Sequence, residues 1–124
     1  MEMTDANTVV QRYLEIWNQP DGALRAKAAG ELLTADCRFV DPIADVIGPD
    51  ALAAVIGGVH ERFPGHQLRL LGDVDTHHDV LRFTWELVAD GAEESLVIGT
   101  DVLTLTGEGQ VGAVSAFFDK VPSA

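Results

Sequence analysis

The chain has 124 residues, enough for one domain that buries roughly two thirds of its unfolded surface without disulfide or metal staples. Its 20 acids against 8 Lys and Arg leave a formal charge of −12, so neither nucleic acid nor an anionic membrane surface is an expected partner, since both need a basic footprint. Cys37 is the sole cysteine, no apolar run approaches the ~20 residues of a membrane span, and the opening MEMTDANT is polar; a reducing, cytoplasmic setting is expected.

Val9, Val10, Tyr13, Leu14 and Trp17 form one stripe of an amphipathic helix that ends at Asn18-Gln19-Pro20. Asp21 is placed to cap a second helix carrying Leu24, Ala28, Leu32 and Leu33, closing near Thr34-Ala35-Asp36. Arg38 to Val40 reads as a short extended piece and Asp41 to Gly48 as loop. Asp41 is held extended by Pro42, because the residue before proline is pushed out of helical geometry. Pro49 suits the first turn of a third helix, whose stripe is Leu52, Val55, Ile56, Val59 and Phe63, stopping at Pro64-Gly65.

From His66 the period changes from helical to two. Leu68, Leu70, Gly72 and Val74 alternate with other residues, then Leu81, Phe83, Trp85, Leu87 and Ala89 do the same. Turn signals at Asp90-Gly91 and Gly107-Glu108-Gly109 separate strands over residues 96–106 and 111–118, giving an antiparallel meander of four long strands. Gly72, Gly99 and Gly112 lie inside strand patterns, where glycine marks bends. The economical arrangement is an α+β domain, with three N-terminal helices packed on one face of a curved antiparallel sheet and a pocket between the layers.

In element order and in the stretches VVQRYLEIWNQPD, CRFVDPIADVIGPDALAAVI, FTWELVADG and GTDVLTLTGEGQVGAVSAFFDK, the chain resembles the nuclear transport factor 2-like superfamily over about residues 5 to 120. That cone-shaped α+β fold is shared by SnoaL-like polyketide cyclases, ketosteroid isomerases, scytalone dehydratases and limonene epoxide hydrolases, and it also serves binding modules. The resemblance implies a ketosteroid-isomerase-like trio: Tyr13 in VVQRY, Asp41 in VDP and Asp101 in GTD. On that pattern Asp41 is a general base that moves a proton from a carbon next to a carbonyl, and Tyr13 and a protonated Asp101 hold the resulting enolate oxygen. The indoles of Trp17 and Trp85 resemble SnoaL-like proteins more than true steroid isomerases and would take up pocket volume. The resemblance also implies a homodimer through the outer face of the sheet.

Read without the family, each residue has a structural alternative. Tyr13 lies on the buried stripe, where a core tyrosine would bond a nearby carbonyl. Asp101 shares a strand face with Val97, Gly99, Leu103 and Leu105, and burial there would raise its pKa; the alternative puts that face in solvent. Asp41 before Pro42 can be a turn former alone. Phe83, Trp85 and Leu87 on one strand and Val114, Ala116 and Phe118 on the last make a provisional apolar wall, with ordinary core as its alternative. His78 in the His77-His78 pair stands between a pocket-mouth role and a solvated turn.

His60, His66, His77 and His78 show no HxH or HExxH spacing, and no phosphate loop or nucleophile elbow occurs, so neither metal nor cofactor is expected. Arg82 alternates with the apolar face, which demotes limonene-type epoxide hydrolysis. The resulting expectation is a cofactor-independent isomerase or cyclase acting on a small apolar carbonyl compound. Its alternative is a non-catalytic ligand-binding or assembly module on the same fold.

Overall fold

A computed structural model describes residues 5–122, in which α1 (Ala6–Asn18), α2 (Gly22–Leu32) and α3 (Pro49–Arg62) pack on one six-stranded sheet. Caps set the helix starts. Asp5 and Asp21 accept the backbone N–H of Asn7 and Leu24, both at 3.0 Å, and Pro49 opens α3 with Asp50 in its positive-potential first turn.

The strands are β1 (Leu33–Val40), β2 (Asp45–Ile47), β3 (His66–His77), β4 (Val80–Ala89), β5 (Val97–Leu105) and β6 (Val111–Lys120), in the order β2-β1-β6-β5-β4-β3. The four long strands form the expected antiparallel meander. Two features differ from the sequence reading. α2 stops at Leu32 rather than near Asp36, and residues 33–40 form an eight-residue strand that joins β6 in parallel. Asp45–Ile47, read as loop, folds back on β1 as an edge strand. The sheet is therefore mixed, because β1 pairs in parallel with the distant β6 and carries β2 antiparallel on its other edge.

All three in-strand glycines sit where the ladder slips. The β3/β4 register breaks around Gly72 (φ 81°), the β5/β6 register breaks at Gly99, and Gly112 is the residue skipped between Ala113 and Val111 opposite Thr104-Leu105. Each irregularity bends the sheet, which curls around the helices as a cone.

The C-terminal turn of α1 is tied down from three sides, and this fixes Trp17. Asn18 exchanges two 2.8 Å hydrogen bonds with the Leu68 backbone, as a strand neighbour would. The buried Arg25 guanidinium donates to the Gln19 carbonyl at 2.8 and 3.1 Å and to that of Pro20 at 3.2 Å, satisfying acceptors just past the end of the helix. His60 Nε2 lies 2.6 Å from the Trp17 carbonyl oxygen and ties α3 to the same turn.

Candidate functional site

Between the inner face of the sheet and α3 lies a cavity of about 360 Å³, walled almost entirely by apolar side chains. Phe39, Leu68, Trp85, Leu87, Val97, Asp101 and Ala116 are buried and make its floor. Ile43, Arg62, Val121 and Pro122 are exposed and form its rim, with Trp17, Val55, Val59, Phe63 and Phe118 between. Two carboxylates, Asp41 and Asp101, thus wall one apolar space.

Asp41 stands where β1 ends, and the loop after it is built on its side chain. Oδ1 accepts the Ile43 N–H at 2.8 Å and the Ala44 N–H at 2.7 Å, while the Asp41 N–H donates to the Ala44 carbonyl at 2.9 Å. Beyond the turn, the Arg38 guanidinium grips both oxygens of Asp45 at 2.9 and 2.8 Å and holds that carboxyl below its usual range. Only Oδ1 of Asp41 is used in this way; among the described residues Oδ2 accepts no hydrogen bond. Asp41 therefore serves as turn former and presents a free carboxylate oxygen, so the two readings of VDP do not exclude each other.

Asp101 comes from the middle of β5, on the face shared with Val97, Gly99 and Leu103, and is 3% exposed. The Trp85 indole N–H donates to its Oδ1 at 2.7 Å. Burial pushes its pKa up to about 7; the Trp85 hydrogen bond pulls it down, and the negative charge of Asp41 pushes it up. Near neutrality this side chain is poised between a carboxylate and a hydrogen-bond-donating acid.

The remaining residues divide by depth. Trp17, Trp85, Ala116 and Phe118 line the cavity, with Phe118 edge-on to Trp85 at 6.1 Å. Tyr13 does not line it. Its ring is fully buried, packed edge-on against Trp17 and Phe83 at 6.4 and 6.1 Å. The hydroxyl has no hydrogen-bond partner among the described residues, and burial, reinforced by Asp101, holds its pKa well above the ordinary value. Trp17 Nε1 lies toward that hydroxyl and is likewise unpartnered, so two buried donors stand idle beside the site.

Phe83 and Val114 face inward but are 1% exposed in solid core beyond the cavity, and they are not wall residues. His78 is also corrected. It sits with φ 51° at the tip of the tight β3–β4 turn, its side chain in solvent rather than at the pocket mouth. Sequence reasoning missed the α3 contribution of Val55, Val59 and Phe63, although their stripe was visible, and Arg62, which no pattern announced. Among the described residues no group of three or more His, Cys, Asp or Glu is arranged to hold a metal ion. No helix among them is long and apolar enough to cross a membrane. The free Cys37 thiol is buried, which pushes its pKa up to about 11 and leaves it inert as a nucleophile.

The sequence matches the SnoaL-like domain over residues 10–114. A proposed isomerase of the SnoaL-like family from Agrobacterium tumefaciens is 34% identical, with 95% of this chain and 100% of that one covered and a TM-score of 0.88. A proposed SnoaL-like polyketide cyclase from Jannaschia sp. CCS1 shares the fold at 19% identity, covering 96% and 92% of the two chains with a TM-score of 0.69. A SnoaL-like protein of unknown function from Burkholderia thailandensis does so at 11%, covering 96% and 100%, with a TM-score of 0.73. No curated protein matches the chain. The three helices on a curved mixed sheet and the family match agree, and the chain belongs to the SnoaL-like family.

Proposed function

We propose that the protein is a cofactor-independent isomerase or cyclase that moves a proton at the carbon next to a carbonyl in a small apolar compound. One observation carries the reading: Asp41 and Asp101 wall the same apolar cavity, one with a free oxygen near the rim and the other buried and near half-protonated at neutral pH. Asp41 Oδ2 takes the proton. Neutral Asp101 donates a hydrogen bond to the oxygen on which charge develops, in a water-poor site where such a bond is worth most. Tyr13 is the second donor of the reading, and its idle hydroxyl needs a ligand oxygen, or a small movement of Trp17, to reach it. The Agrobacterium and Jannaschia relatives, described as a proposed isomerase and a proposed cyclase, support the same reaction class.

Exchange of the α-protons of 2-tetralone for solvent deuterium, followed by NMR, tests this. The wild-type chain should accelerate exchange and Asp41→Asn should abolish the acceleration; equal exchange by both would remove Asp41 from the mechanism. A non-catalytic binding module is favoured by one specific observation, that the Tyr13 hydroxyl is shut off from the cavity. It predicts binding of an enolate mimic such as 2-naphthol with no exchange of 2-tetralone.

Two further parts of the reading concern setting. We place the chain in the cytoplasm, where a single buried thiol stays reduced. We also propose a homodimer through the outer sheet face, where Leu71, Thr84, Thr100 and Phe117 stand in register across four strands and Phe117 is 58% exposed. Sedimentation at micromolar concentration should show a dimer that Phe117→Asp weakens; a wild-type monomer would end this part.

A further inference from the structure

Trp85 and Asp101 are not directly opposite in the sheet. Trp85 pairs with Gly99, and Asp101 is two residues further along β5 on the same face. For the indole N–H to reach the carboxyl, the ring has to lie flat across the backbone of residue 99. A Cβ there would fall 2.6 Å from Cε2 of the indole and 2.7 Å from the Phe117 carbonyl oxygen, both rigid atoms. Glycine at 99 is thus what lets Trp85 lie down, and a left-handed backbone does not require it there, since its φ is not positive.

The chemistry of the partner then matters. An indole N–H is a donor and nothing else, whereas a hydroxyl, amide or histidine at the same place could give or accept. With Nε1–H donating at 2.7 Å, Oδ1 of Asp101 is held as an acceptor. When the acid is neutral, its proton belongs on Oδ2. Asp101 lines the cavity, and among the described residues Oδ2 has no hydrogen-bond partner, so that proton is free for a ligand oxygen.

We propose that Trp85, seated by Gly99, is a positioning residue that fixes which oxygen of Asp101 carries the proton and makes the acid a one-directional donor into the cavity. This rests on the proton-transfer reading above for its catalytic meaning, although the link between the two side chains does not. The other titratable or charged groups around Asp101 are Asp41 from the β1–β2 loop, Tyr13 from α1 and, at the rim, Arg62 from α3. None of them donates a hydrogen bond to its carboxyl, so Trp85 alone sets the direction.

The test replaces only the N–H. Trp85→β-(3-benzothienyl)alanine keeps the bicyclic shape and puts sulfur in place of Nε1; Gly99→Ala displaces the intact indole and provides a second route. Two quantities are read: the titration midpoint of the Asp101 carboxyl by ¹³C NMR, and the affinity for 2-naphthol as a function of pH.

Loss of the donor removes stabilisation of the ionised form, so in both variants the midpoint should rise by about one pH unit. The alkaline fall in 2-naphthol affinity should move up with it, while affinity at pH 5.5 weakens about three-fold because the acid is no longer oriented. An unmoved midpoint in the benzothienyl variant, with affinity lowered equally at every pH, would overturn the proposal, since that is the mark of packing alone. Failure of the wild-type chain to bind 2-naphthol would count against the proton-transfer reading only, because the midpoint still reports whether Trp85 holds Asp101.

Discussion

Asp41 and Asp101 are the same side chain in two different settings within one cavity. Asp41 is half-exposed on a loop, with two backbone N–H groups on one oxygen, and it organises its own turn. Asp101 is buried in the middle of a strand, with one indole N–H on one oxygen, and it organises nothing. The contrast teaches that one apolar pocket can place the same side chain in two environments, one braced by backbone N–H groups near solvent and one buried with its pKa pushed up to about 7. The carboxyl near the rim is held by backbone N–H groups, while the one on the floor depends on a single side-chain donor.

Asp41→Asn separates the two carboxyls most strongly. Asparagine Oδ1 can still accept from Ile43 and Ala44, so the loop survives while the base is lost. Exchange of 2-tetralone should fall by about 10²- to 10⁴-fold with the thermal midpoint little changed. The next effect is on stability. Burial raises the folded midpoint of Asp101 to about 7 from an ordinary 3.8, so between those values the folded chain holds a proton that the unfolded chain releases. Stability is accordingly lost as pH rises from about 4 through about 7, by at most about 4 kcal/mol. Asp101→Asn carries no such penalty, so its thermal midpoint should gain on the wild type by several degrees between pH 5 and pH 8; a constant difference would mean that Asp101 stays ionised throughout.

Smaller effects sharpen the two environments separately. Gly99→Ala should cost about 1–3 kcal/mol in urea unfolding, through the clash with the Trp85 ring and the Phe117 carbonyl. Asp41→Ala, unlike Asn, should cost about 1 kcal/mol by releasing the Ile43 and Ala44 N–H groups.

Much of this was legible in the sequence because it rests on period. The three helices and the four-stranded meander follow from spacing along single segments, while spacing gave Asp101 its strand neighbours Val97, Gly99 and Leu103 and left open which face is inward. The parallel junction of β1 with β6 did not, since nothing local in LTADCRFV names a partner almost 80 residues away. Period also gives the face of a residue and says nothing of its depth. Phe83 and Val114 have the right face but lie in solid core, and Tyr13 is on the right stripe yet behind the wall. The bond between Trp85 and Asp101 was invisible because it depends on a diagonal cross-strand reach over a glycine. Arg62 reached the rim through the angle of α3, which no residue pattern specifies.

Donation by Asp101 requires that its buried carboxyl hold a proton near neutrality, and ¹³C NMR of the aspartate carboxyls reads this directly. One resonance should titrate with a midpoint near 7 and vanish in Asp101→Asn. That resonance should move to higher pH in Trp85→β-(3-benzothienyl)alanine. If every aspartate instead titrates in the ordinary carboxylate range, Asp101 is a plain anion at neutral pH and cannot be the donor assigned to it.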